Sequence, residues 1–425
     1  MCLDMKRNMT NSIIDKRWNT YSIILIIQAL YSLKAWFLWW IPGQTGTVII
    51  FAISVFYLIY VPFWTFKENK RVYAAVLLVI LFLYQAEGNL NAYMLKLMEA
   101  FAVIPLIFLK PKYQTDILEK FQKVITVILT ISLAFWVLHL VGINFPSTPI
   151  TYGTVDRGQG LEDQYLFDNH YFFLVNQSGL LEFAIELLSL RFISIFLEPG
   201  YLAILMVFLL FINEFNFKEK RNLLYVATII ATVSLAGYLM VVFAYIAHSL
   251  QHAKRGTLGV VVLFLVSFAS YDFFKEYNGG QNFINEGIIE RLEFDNSKVI
   301  VGNNRTSIEF SEQFYRFITT PDVISGIGKR KVMNMDGANV GYKPFIMSYG
   351  IVGITLFLSF LILLARTSKN YKSFILFLLY FLFFLRGDGP IFWTSFILIY
   401  TCGLTLFNYE KESSTLLVSS RPKLR

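Results

Sequence analysis

Asn222–Leu250, NLLYVATIIATVSLAGYLMVVFAYIAHSL, runs for 29 residues without an Asp, Glu, Lys or Arg. A helix crossing about 30 Å of hydrocarbon needs roughly 20 residues. The stretch is therefore too long for one ordinary span. Small residues sit at its centre, in Ser234-Leu235-Ala236-Gly237, and a tight turn there makes two short spans of it. Counted that way, the chain holds twelve apolar stretches, near 20–40, 47–65, 72–86, 93–109, 121–142, 192–213, 222–235, 236–250, 256–271, 346–365, 373–386 and 389–407. With a cytoplasmic start, 23 of the 37 basic residues then lie on the inner side, among them Lys67, Lys70 and Arg71, and Lys218, Lys220 and Arg221. Positively charged short loops belong on the cytoplasmic side. Eleven spans would invert the second half and scatter those charges, so the pattern selects twelve.

The composition agrees. Hydrophobic residues make up 56% of the 425 and charged residues 16%, with a mean hydropathy of +0.55. A soluble globular chain carries about 25% charged residues. These values exclude a disordered chain and disfavour a soluble enzyme, and two cysteines exclude a disulfide scaffold. The expected fold is an all-α polytopic membrane protein of about 12 transmembrane helices, both termini cytoplasmic, with residues 1–425 as a single integral membrane domain. The net charge of +8 resides in the loops and asks for a bilayer rather than a nucleic acid. The first apolar run is long and lacks a small-residue cleavage site, so it reads as a span.

Two segments on the non-cytoplasmic side are too long to be turns, 143–191 and 272–345. The second holds nine Lys/Arg and ten Asp/Glu. Both are rich in aromatic and aliphatic residues, which argues for order and function. Residues 171–190 are apolar with Glu182 and Glu186 four apart, which predicts a helix along the membrane surface. Residues 305–318 space Ile308, Phe314 and Phe317 as an amphipathic helix stopped by Pro321. No internal repeat is evident, which disfavours many transporter folds.

Soluble-enzyme signatures are absent: no GxxxxGK[ST], HExxH or CxxC. No metal site and no cofactor are expected. His139, His170, His248 and His252 are not expected to cluster outside the membrane, and His248/His252 read as interfacial anchors beside Lys254 and Arg255. The informative segment is Arg191-Phe-Ile-Ser-Ile-Phe-Leu-Glu198-Pro199-Gly200-Tyr201. Glu-Pro-Gly opens a helix, where proline's missing N–H costs nothing. Arg191 and Glu198 are seven apart, so a shared helix face is expected for them, and an ionisable residue this close to hydrocarbon points to function.

A second candidate is Gly326-Ile-Gly328-Lys329-Arg330-Lys331. Two glycines permit a turn whose N–H groups, with the following cations, suit a phosphate. A solvated basic loop is the alternative. Lys96 and Glu99 can pair at i,i+3 inside a span. Arg386, in the turn Arg386-Gly-Asp388-Gly-Pro390, either joins the outer site or caps its own helix.

With Arg191…Glu198-Pro199-Gly200, the chain resembles the Wzy-type O-antigen and capsular polysaccharide polymerases, part of a superfamily shared with O-antigen ligases. Three further pieces follow the same order: Thr232-Val-Ser234-Leu-Ala-Gly237; Asn304-Arg305 opening a helix; and Gly326-Ile-Gly328, then Asn339, then Gly350-Ile351-Val-Gly353 entering the next span. Ligases of this superfamily usually carry a His shortly before that entry, and 329–345 has none.

The resemblance implies a metal-independent glycosyltransferase of the bacterial inner membrane, with 143–191 and 272–345 as periplasmic loops. Its substrate would be an oligosaccharide repeat unit on undecaprenyl diphosphate, and a chain-length regulator protein a possible partner. Charge builds on the departing diphosphate, so fixed cations aimed there accelerate the step. Arginine stays charged and binds phosphate bidentately. Arg191 and Arg305 are accordingly assigned to diphosphate, with Lys329, Arg330 and Arg386 as further binding cations. Glu198, or failing it Asp336, removes the acceptor proton, and Asn339 and Tyr342 bind sugar hydroxyls. The rival readings are an O-antigen ligase and a lipid-linked oligosaccharide flippase or transporter.

Overall fold

The computed structural model describes residues 2–60, 63–155, 163–176, 191–249, 275, 308–335, 341–368, 370–387 and 390–419. The described elements are helical apart from one small sheet. In chain order they are α1 (Cys2–Ser32), α2 (Gly43–Tyr60), α3 (Asn69–Tyr84), α4 (Leu90–Phe108), α5 (Pro111–Leu140), β1 (Thr148–Val155), β2 (Asp163–Asn169), β3 (Leu174–Asn176), α6 (Pro199–Ile212), α7 (Lys220–Ala231), α8 (Leu235–Ser249), α9 (Ile308–Phe317), α10 (Lys329–Met333), α11 (Tyr342–Ala365), α12 (Tyr371–Arg386) and α13 (Thr394–Ser419). By length and composition α4, α5 and α11 are long and apolar enough to cross a membrane. Gly43–Ile59, Pro199–Ile212, Leu235–Ser249 and Thr394–Asn408 are shorter apolar helices. The apolar stretch near 256–271 lies outside the described residues.

The long charge-free stretch does form two helices. The break falls at Thr232–Ser234, where Val233 takes a left-handed φ of 46°. Ser234 Oγ accepts from the Gly237 N–H at 3.3 Å and so caps α8.

The first long loop departs from the expectation of a surface helix over 171–190 at its start, and the part of that expectation bearing Glu182 and Glu186 lies outside the described residues. Leu174–Asn176 is a strand, and residues 177–190 lie outside the described set. The sheet is antiparallel in the order β1-β2-β3, with Ile150 opposite Phe167 and Asn169 opposite Leu174. Its second turn is set locally: Asn169 Oδ1 accepts from the Tyr171 N–H at 2.8 Å, and Tyr171 adopts a φ of 66°. That turn reverses the chain, and a five-residue apolar run after it carries too little periodicity to distinguish helix from strand. The expected amphipathic helix of the second loop is present as α9, which buries Phe310, Phe314 and Phe317 against Val332 and Met347.

The chain divides into two compact units. The first comprises Met1–Ile125, Ile351–Tyr380 and Gly389–Arg425. Helices in a bilayer gain little from burying apolar surface against one another, so polar ties and close approach carry weight. Here Gln28 Nε2 donates to the Ala102 carbonyl at 2.9 Å and to Thr394 Oγ1 at 3.1 Å, joining α1, α4 and α13. Buried Arg71 pairs with Glu68 at 2.9 Å and donates to the Ile107 and Leu109 carbonyls and to Gln114 Oε1. The Lys96–Glu99 pair forms at 2.6 Å.

The second unit comprises Thr126–Gly350 and Phe381–Asp388. Its axis is α6, all fourteen residues of which are buried. Pro199 occupies the first turn and Glu198 the N-cap position. α8 approaches α6 closely because Gly237 faces Ala203: a Cβ at 237 would lie 2.6 Å from the Ala203 Cβ.

Candidate functional site

The N-terminal end of α6 brings together Glu198 and Arg386. Glu198 stands just outside the first turn, where the unpaired N–H groups and the helix dipole favour negative charge. Its Oε1 accepts from Arg386 Nη2 at 3.2 Å. The Arg386 guanidinium lies 5.3 Å from the centre of the Tyr201 ring, a cation–π contact worth about 0.5–2 kcal/mol. Arg386 reaches from the end of α12 to the Glu198 carboxylate.

Glycines make the room. A side chain on Gly200 would overlap the Arg386 guanidinium, and one on Gly387 would meet the Tyr201 hydroxyl at 3.1 Å. Gly341 packs against the Arg386 carbonyl with a φ of +149°. Tyr201 carries no signature of its own in the sequence. The signal available is its spacing, three residues after Glu198, which stacks the two on one helix face.

Arg191 is held differently. The expectation that it shares a helix face with Glu198 is corrected: 191–198 is irregular, and Ser194 has a φ of 59°. The sharp entry to α6 at Glu198-Pro199 follows an irregular segment over 191–197. Instead the segment lies on the break between α7 and α8, whose end carbonyls need donors. The Phe192 N–H donates to the Ala231 carbonyl at 2.9 Å, and Arg191 Nε donates to the Thr232 carbonyl at 3.0 Å. Thr232, Ser234 and Gly237 thus have separate tasks: accepting from Arg191, capping α8 and admitting α6.

The Gly326-Ile-Gly328 turn also differs from its expected role as a phosphate cradle. Its N–H groups are engaged within the protein. Gly326 donates to Asp322 at 2.7 Å, Ile327 to Met347 at 2.8 Å and Gly328 to Ser348 at 3.1 Å. The last two carbonyls belong to α11 just before its kink at Gly350, where φ is 61° and ψ is −165°. Kinked helices expose carbonyls, and this loop supplies their donors. The contact is glycine to glycine: a Cβ on Gly326 would strike the Ser348 carbonyl, and one on Gly350 the Ile324 carbonyl.

Lys329 and Arg330 follow on the short helix α10 with exposed side chains. Tyr342, half-buried at the start of α11, meets the Phe314 ring edge-on at 6.2 Å. Its neighbour Lys343 was not anticipated. It is buried, donates to Ser311 Oγ at 3.0 Å and lies over the rings of Phe314 and Tyr315, tying α9 to α11. Arg305, Asp336 and Asn339 lie outside the described residues. Among the described residues no three His, Cys, Asp or Glu side chains gather as a metal site.

Set against protein-family models, curated proteins and solved structures, the chain matches none.

Proposed function

We propose that this chain is a Wzy-type polysaccharide polymerase of the bacterial inner membrane, acting on undecaprenyl-diphosphate-linked repeat units at the periplasmic face. The observation that carries the reading is the Glu198–Arg386 pair at the N-terminus of buried α6, with Arg191 fixed at the adjoining helix break. A carboxylate beside guanidinium groups is the equipment that glycosyl transfer from a diphosphate requires: an acceptor for one proton and cations for a departing anion.

In the proposed reaction a hydroxyl of the incoming unit attacks the reducing-end anomeric carbon of the growing chain. The bond from that carbon to the diphosphate oxygen breaks, and undecaprenyl diphosphate leaves with the electron pair. Glu198 takes the hydroxyl proton, and Arg191 and Arg386 face the diphosphate. Arg386 is shared between Glu198 and that anion. The more highly charged diphosphate draws the guanidinium and frees the carboxylate for its proton. Arg305, Arg330 and Lys329 add cations from the second loop, Asp336 is a second candidate base, and Asn339 and Tyr342 bind sugar. A chain-length regulator is the proposed protein partner.

Twelve crossings with both termini cytoplasmic complete the proposal. A contact within the first unit supports placing two of the loops assigned to the cytoplasm on one side: Lys70 Nζ donates to the Arg366 carbonyl at 2.7 Å.

The test is gel analysis of surface polysaccharide after deletion of the gene. Collapse of a ladder to a single-repeat band, restored by the wild-type chain but not by Glu198→Gln or Arg191→Ala, is the expected result. Finished polymer retained on the lipid carrier would identify a ligase. Repeat units trapped on the cytoplasmic face would identify a flippase or transporter and overturn the site.

A further inference from the structure

Ser132, Trp136 and His139 fall on one face of α5, at i, i+4 and i+7. That face receives the turn between β2 and β3 and the segment before α6. Ser132 Oγ donates to the Phe172 carbonyl at 2.6 Å and accepts from Ser194 Oγ at 2.9 Å. Trp136 packs 5.4 Å from Phe192. His139 lies 4.9 Å, ring to ring, from His170, whose imidazole stacks on Phe173 at 4.7 Å. The Leu174 N–H then donates to the Ser194 carbonyl at 2.9 Å. The helix face, the sheet turn and the segment bearing Arg191 and Glu198 are therefore one packed layer.

Two imidazoles in contact inside such a layer need an explanation. His170 is buried, with the backbone carbonyls of Phe145 and Pro146 among the groups acting on its imidazole. Its Nδ1 and the His139 Nδ1 are both buried with no hydrogen-bond partner among the described residues. Neutral imidazoles leave such a nitrogen as a lone pair at modest cost, whereas protonated ones would bury two unsatisfied N–H groups and two like charges. The other ionisable group acting on His170 is Asp168 of β2, which offsets one positive charge and not two.

We propose that the His139–His170 pair is a positioning latch: neutral, it holds the first-loop sheet and the 191–198 segment on α5, and protonated, it lets them go. Burial first, and the neighbouring His139 second, hold the His170 imidazole below its ordinary value of 6.5, against the opposing pull of the Phe145 and Pro146 carbonyls and Asp168. A depressed value means that the undocked state binds the proton more tightly. Docking is thus complete above 6.5 and weakens as the pH falls below it toward the depressed value. The two histidines act through the segment they position and touch no substrate.

The experiment is amide hydrogen exchange of the full chain in detergent, read by mass spectrometry over 172–176 and 192–198 and corrected for the intrinsic pH dependence of exchange. Histidine C2 exchange is followed in the same samples. In the wild type, protection of Phe192 and Leu174 should fall about tenfold between about pH 7.5 and about pH 5. His139→Gln and His170→Gln should each hold their protection at the lower pH. Protection that does not change with pH in the wild type, or that falls equally in both variants, overturns the latch. Where a variant is already unprotected at neutral pH, the wild type decides. The midpoint of its protection loss coincides with the titration of His139 or His170, or the proposal fails. The readout is independent of glycan chemistry, so a failed polymerase assay leaves it standing.

Discussion

Gly200 and Arg386 are a matched pair: the absence of a side chain at 200 is what admits the guanidinium to Glu198 and to the face of Tyr201. Gly200→Ala should therefore push Arg386 off the carboxylate at an overpacking cost of about 1–3 kcal/mol. Gly200→Ala/Arg386→Lys should recover part of that loss, because an ammonium needs less room. A double-mutant cycle on Tm in detergent reads the coupling. Additive effects would dissociate the two residues.

Glu198→Gln keeps the shape and one acceptor for Arg386 but removes the base. Polymer formation should fall by about 10²–10⁴, while Tm changes little. Arg386→Ala removes the guanidinium from beside the half-buried Glu198 carboxylate at the head of α6. It should lower Tm more than Glu198→Gln does, and the double variant should be more stable than Arg386→Ala alone.

Arg191 donates through Nε, an atom that lysine lacks. Arg191→Lys should consequently behave like Arg191→Ala, with polymer formation down by about 10²–10³ if the group faces the developing diphosphate charge. Retention of full ladder length and amount by Arg191→Lys would remove the guanidinium from the mechanism.

Gly326→Ala and Gly350→Ala each force a side chain into backbone while requiring a left-handed φ, +80° and +61° respectively. Either should destabilise by about 2 kcal/mol or more. The two should be strongly non-additive, because they break one contact. Scanning calorimetry of the single and double variants checks this.

Much of the scaffold was legible because it rests on composition and periodicity. The absence of charge over 222–250 and its small central residues predicted two helices, and Glu-Pro-Gly predicted the start of α6. The sheet was missed because its turn depends on one Asn side chain and a positive φ at Tyr171, which are not periodic signals. At the site, Glu198 and Arg191 are visible as ions flanking an apolar run and Arg386 as a candidate for the same site, yet which group each one meets is not. Arg191 bonds a carbonyl, which every residue possesses, and Arg386 reaches Glu198 from another helix. The phosphate-cradle reading of Gly326 and Gly328 failed for a related reason: glycines suit close approach to any backbone, and here the backbone is α11.

Glu198 and Arg386 are separated by 188 residues. At a synthesis rate of about 5–20 residues per second, the carboxylate waits on the order of 10–40 s for its cation. The pair is thus one of the last features of the second unit to form. A chain cut short anywhere in that interval lacks the Arg386 guanidinium at the head of α6.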